Sequence, residues 1–189
     1  MVDDYHSIII NNVWEVVPRL ANKSVVSSRW IYKVKQVSYG SVEKHKARFV
    51  ARGFSQVEGS DYEDTFSPVA RYSSIRSILA LSTQIAWKIH QMNVNTTFHN
   101  NMIEEEVYIE QWEGFETFNR ESHGCRLKRA LYGLKQAPLA WYIRIDNYFT
   151  GLGFTKSEAD VNLYHIAMKG KFLIVVLYVD DLILTSVIS

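Results

Sequence analysis

The feature that most limits the possible folds is the run Phe172-Leu-Ile-Val-Val-Leu-Tyr178, followed after Val179 by two aspartates, Asp180 and Asp181. A strand with one face in water alternates apolar and polar side chains. This run does not, so it is expected to be central and covered on both faces. Apolar character continues from Phe172 to Ile188, long enough to raise the question of a membrane span. The aspartate pair breaks it in the middle, where charge is costly, and β-branched residues recur, so two strands joined by an Asp180-Asp181 turn fit better. Carboxylates at the end of a buried strand require solvent or a cation. A hairpin turn that holds them at the lip of a buried sheet suits Mg²⁺ and, through it, phosphoryl transfer. The alternative is a ligand-free surface turn, the commoner reading for an isolated Asp-Asp pair.

The rest of the chain alternates strands and helices. Trp30 to Val37 and Val42 to Val50 flank Ser38-Tyr-Gly-Ser41 and read as a β-hairpin. Ser60 to Ala70 reads as an irregular connection. Ser73 to Ile89 reads as a helix capped by Ser73 or Ser74, with Ile75, Ile78, Leu79, Ile85, Ala86 and Ile89 largely on one face. Val94 belongs to a short strand, and Glu104 to Glu110 to another extended piece. Pro138 to Leu152 reads as a second helix, with Pro138 in its first turn, the stripe Trp141, Ile145, Phe149 and Leu152, and Gly153 closing it. Asn162 to Ala167 and Lys171 to Val179 form a hairpin around Met168-Lys-Gly170, and Leu182 to Ser186 returns. The order β-β-α-β-α-β-β-β favours an α+β fold.

Charge is nearly balanced at +1 but unevenly placed. Arg19 to Gln56 holds nine Lys or Arg and one acid, Glu43, whereas Glu104 to Glu121 holds seven acids and one base. The basic third suits phosphate tracking or a solvated face in equal measure. The single cysteine, Cys125, allows no disulfide within one chain and points to a reducing compartment. The acidic start Met-Val-Asp-Asp lacks signal-peptide character. The expectation is an intracellular protein, cytoplasmic or nuclear, with no membrane partner and an oligomeric state left open.

Several segments occur together in an order that resembles the reverse transcriptases of copia-type retrotransposons. They are Ser28-Arg-Trp-Ile-Tyr-Lys-Val-Lys35, Lys44-His-Lys-Ala-Arg-Phe-Val-Ala-Arg-Gly-Phe54, Asp64-Thr-Phe-Ser-Pro-Val-Ala70, Glu104-Glu-Glu-Val-Tyr108, Cys125-Arg-Leu-Lys128, Leu131-Tyr-Gly-Leu-Lys-Gln-Ala-Pro138 with Ala140-Trp-Tyr142, and Tyr178-Val-Asp-Asp181. The resemblance runs from about Trp14 to Thr185, after an N-terminal extension of residues 1–13. It implies a right-hand polymerase fold, with β-rich fingers and an antiparallel palm sheet over residues 14–189. It implies template-directed DNA synthesis from deoxynucleoside triphosphates on an RNA or DNA template-primer, with Mg²⁺ as the cofactor. It makes Asp180 the stronger metal ligand and Asp181 its support. It places Lys46, Arg48 and Lys135 near the nucleotide and its phosphates, with Lys44 and Arg52 read as solvated. It sets Phe98 under the incoming sugar, where a bulky ring excludes a 2′-hydroxyl. Core packing is the commoner reading for Phe98, and a turn role without ligand contact suits Lys135 equally well.

Two departures stand out. The family's Asp-Val-Lys-x-Ala-Phe-Leu is Asn93-Val-Asn-Thr-Thr-Phe-His99 here, so the first metal-binding aspartate is Asn93. A neutral amide does not balance Mg²⁺. His99 stands at a usual Leu, and Asn101 near a usual Gly. The chain also stops at Ser189, so the thumb is expected to be absent and the final hairpin to expose an edge. The expectation is a copy without polymerase activity and with weakened Mg²⁺ binding, or else a non-catalytic nucleic-acid-binding remnant.

Overall fold

The computed structural model describes residues 2–94, 96–168 and 170–186, the side chains of Val2 and Asp3 excepted. In chain order the elements are α1 (Val2–Ile10), β1 (Trp14–Pro18), β2 (Ser28–Gln36), β3 (Val42–Ala51), a 3-10 turn (Gly53–Ser55), α2 (Tyr72–Gln84) and β4 (Lys88–Asn93). Then follow β5 (Tyr108–Ile109), β6 (His123–Leu127), α3 (Ala137–Gly151), β7 (Thr155–Lys156), β8 (Leu163–Met168), β9 (Lys171–Tyr178) and β10 (Asp181–Ser186). This is a mixed α and β fold whose named strands all pair antiparallel. Two compact units share the chain: residues 1–65 with 98–140, and residues 66–97 with 141–189.

In the first unit β1-β6-β5 form one sheet and β2-β3 a hairpin. The core is aromatic. Trp112 sits 4.1 Å from Phe49 between ring centroids, and Trp14 and Trp30 meet it edge-on at 4.7 and 4.9 Å. Aromatic residues make up 13% of the chain, and this cluster buries several of them, mostly in the edge-to-face geometry that ring quadrupoles favour. Helix α1 joins it through Ile8, which is fully buried. The expected extended piece at Glu104–Glu110 shrinks to β5, and β1 and β6 were not foreseen. Both are short, and only their partner strands make them recognisable.

In the second unit the sheet order is β4-β10-β9-β8-β7. β9 is central as expected, with Ile174, Val175, Val176 and Leu177 buried. Ile174 and Val176 cluster with Ile78 of α2. On the alternate parity, Val175 pairs with Tyr164, and Phe149 of α3 packs on Tyr164 at 4.9 Å. α3 ends as its sequence foretells: Gly153 takes φ 89° and the Phe154 N–H returns to the Phe149 carbonyl at 3.0 Å.

Four expectations are corrected. Helix α2 stops at Gln84, because Ala86 adopts φ 55° and the Trp87 N–H bonds back to the Ser82 carbonyl at 2.8 Å, closing the helix without glycine. Ile89 therefore lies in β4. Neither Ser73 nor Ser74 caps α2: Arg71 holds that position, and the Asp160 carboxylate accepts its N–H at 2.9 Å from outside the helix. The last turn is Val179-Asp180 rather than Asp180-Asp181, since Tyr178 pairs with Asp181. Finally, β10 is not at an edge: β4 lies along its other side. The turn expected at Met168-Lys-Gly170 falls partly on residue 169, outside the described residues.

Candidate functional site

The register between β10 and β4 builds the site. Asp181 is the partner of Asn93, and residues directly opposite across a strand pair put their side chains on one face. Asn93 Nδ2 accordingly donates to Asp181 Oδ1 at 3.1 Å. The Asp180 carbonyl accepts from the Val94 N–H at 2.9 Å, so the turn is tied to the residue after β4. On the same face Tyr178, opposite Asp181, shares a 3.3 Å hydroxyl contact with Tyr72 of α2. That contact and the charge of Tyr72 raise the Tyr178 phenol above its ordinary range.

Val179, first of the two turn residues, takes φ 56°. Strain of this kind costs about 1–3 kcal/mol and persists only where surroundings impose it. Trp141 Nε1 donates to the Val179 carbonyl at 2.7 Å. Asn93, Asp180 and Asp181 are thus neighbours in the second unit.

Among the described residues no group of three or more His, Cys, Asp or Glu converges to hold an ion. Asn93 turns an N–H donor toward the carboxylate, where a metal ligand would present an oxygen. That hydrogen bond offsets the Asp181 charge, which a cation would otherwise do.

The residues expected at the nucleotide lie in the first unit. Lys44, Lys46 and Arg48 share one face of β3, because side chains alternate along a strand. Lys46 pairs with Lys33 and Lys44 with Lys35, and Arg48 faces Ile31. Like charges placed opposite one another repel, so this face concentrates positive charge. Lys33 and Lys35 were missed as site candidates. Their signal was available: the pairing follows once the turn at Ser38–Ser41 is fixed.

Tyr132 was missed as well. The Arg48 guanidinium lies 4.7 Å over its ring, and Phe98 meets it edge-on at 4.7 Å and 82°. Tyr132 therefore joins two candidates that are far apart in sequence. Its loop is tightly seated on β3: the Ala51 N–H bonds to the Tyr132 carbonyl at 2.8 Å, and a Cβ on Gly133 would stand 2.1 Å from the Ala51 oxygen. Lys135 Nζ donates to the Tyr62 hydroxyl at 2.7 Å, and its N–H bonds to Gln56 Oε1 at 2.8 Å. Arg52 and Lys44 are exposed.

His99 is buried, with Nδ1 3.3 Å from the Ser7 hydroxyl. Burial lowers its pKa below the ordinary 6.5, against a smaller opposing pull from Asp4. No described helix is long and apolar enough to cross a membrane.

Residues 11–188 match the family model described as reverse transcriptase (RNA-dependent DNA polymerase). The chain is 40% identical over 188 residues to the retrovirus-related Pol polyprotein from transposon RE1 of Arabidopsis thaliana. It is 38% identical to that from transposon RE2 of the same plant and 35% identical to that from transposon TNT 1-94 of Nicotiana tabacum. In each case 98% of this chain is covered, but only 13–14% of the relative. No solved structure matches. The motifs, the pairing of Asn93 with Asp181 and the family match together place the chain in the reverse transcriptase family, among those of copia-type retrotransposon Pol polyproteins.

Proposed function

We propose that this chain is the fingers and part of the palm of a retrotransposon reverse transcriptase, with residues 14–189 forming that portion, and that it binds nucleic acid without extending it. The family activity is template-directed DNA synthesis by two-metal nucleotidyl transfer. In this reading the second unit is the palm, and the β2–β3 hairpin with its lysine face belongs to the fingers. Lys46, Arg48 and Tyr132 lie along the triphosphate, Phe98 under its sugar, and Lys135 beside them. RNA or DNA template-primer and deoxynucleoside triphosphates are the partners.

The observation that carries the inactive reading is the Asn93–Asp181 hydrogen bond. In-line displacement needs anionic ligands to fix two cations at the attacking and leaving oxygens. Here an amide fills one ligand position and engages a second. Asp180 and Asp181 alone would hold Mg²⁺ weakly. The basic face favours retained binding: its positive charge would attract phosphates, and release of counterions would drive association.

Two assays test this. In primer extension on a homopolymer template with Mg²⁺, the purified chain is expected to incorporate no more nucleotide than its Asp180→Ala variant. Incorporation that disappears in Asp180→Ala would overturn the inactive reading. In equilibrium binding, affinity for template-primer is expected to fall steeply with salt. A salt-independent affinity would remove the basic face from the account.

A further inference from the structure

The turn that carries the aspartates is built from a residue poorly suited to it. Val179 is β-branched, yet it holds φ 56°, where a Cβ crowds the following carbonyl and only glycine is at ease. The two-residue hairpin calls for positive φ at its first turn residue, but valine is ill suited to supply it. A further restraint comes from α3: the Val179 carbonyl accepts the indole N–H of Trp141 at 2.7 Å. Trp141 is 5% exposed and stands at the head of the buried series Trp141, Ile145 and Phe149. A tryptophan has one side-chain donor, and here it is spent on the strained peptide. One residue on, the Asp180 carbonyl is held by the Val94 N–H at 2.9 Å. Relaxing Val179 to negative φ would rotate its peptide away from the indole and shift Asp180 with it.

We propose that Trp141 is a positioning residue, whose indole N–H holds the Val179 turn in its left-handed conformation and so sets where Asp180 and Asp181 present their carboxylates. This rests on reading that turn as the family's catalytic turn. It also gives a reason for tryptophan at this point of the stripe: phenylalanine would fill the core but donate nothing.

The test needs neither metal nor template, so its failure is distinct from failure of the polymerase reading. Amide hydrogen exchange is measured on the intact chain and on Trp141→Phe. Exchange at Val94 is expected to speed up about tenfold, the factor that 1.4 kcal/mol carries, while amides within β9 and α3 keep their protection. Adding Val179→Gly is expected to restore Val94 protection, because glycine keeps the turn unaided. Unchanged exchange in Trp141→Phe, or an equal loss with Val179→Gly present, would overturn the proposal. Should Trp141→Phe loosen the whole unit, urea unfolding of all four combinations decides. Trp141→Phe is expected to shift the midpoint less in the Val179→Gly background. An equal shift in both would reduce Trp141 to core filling and overturn the proposal.

Discussion

The two hairpins of this chain carry opposite charge by opposite means. β2–β3 displays Lys33, Lys35, Lys44, Lys46 and Arg48 on strands that are mostly exposed. β9–β10 holds Asp180 and Asp181 beyond a strand whose residues 174–177 are buried, with a strained turn braced from α3. The first works through a summed field, to which each lysine adds a part. The second works only if every ligand is an anion in the right place. In the proposed reading, a single change, an amide at position 93, disables the acidic site and leaves the basic one intact.

The sharpest way to break this contrast is at the anchor of the basic hairpin, which is as exacting as the acidic turn. Gly133 has φ 91°, and an added Cβ would meet the Ala51 oxygen at 2.1 Å and the Val50 side chain at 2.5 Å. Gly133→Ala should cost more than about 4 kcal/mol and abolish the cooperative thermal transition of the first unit. A wild-type melting curve would show that the loop is free to move.

Next in size is charge reversal on the open face. Lys33→Glu with Lys46→Glu should weaken template-primer binding and flatten the slope of log affinity against log salt by about two. Asp180→Ala with Asp181→Ala should leave both unchanged. If the acidic changes alter binding as much as the basic ones, the division of labour fails.

A smaller effect tests the segment that follows Asn93. Burial depresses the His99 pKa below the unfolded 6.5. The folded state thus binds fewer protons, so His99's contribution is complete above pH 6.5 and is lost as pH falls through the folded value. His99→Leu should flatten the acid limb of the stability curve in urea unfolding. The smallest effect concerns Cys125, whose buried thiol is pushed up to about 12. Alkylation at mildly alkaline pH should proceed no faster than unfolding exposes it.

The sequence was informative wherever a period or a motif acted locally. Alternation exposed β2–β3, the Trp141–Ile145–Phe149 stripe exposed α3, and the unbroken apolar run exposed β9. It was silent on α1 and on β1 and β6, whose identity comes from partners far along the chain. It misjudged the end of α2, because Ala86 closes the helix in a conformation usually left to glycine. For the candidate site, the motifs supplied Asn93, Asp180 and Asp181. The Asn93–Asp181 bond depended on strand register, which no local pattern encodes. Tyr132 escaped notice for the same reason, since its partners Arg48 and Phe98 are distant in sequence.

The central claim is that the Asn93 amide stands in for a cation at Asp181, and thermal unfolding with Mg²⁺ or with EDTA tests it most directly. The wild-type midpoint should be the same in both at matched ionic strength. Asn93→Asp should melt several degrees lower in EDTA, because a third carboxylate repels the other two, and should recover in millimolar Mg²⁺. A wild-type chain that Mg²⁺ stabilises as much as the variant, with that gain lost in Asp180→Ala, would contradict the account.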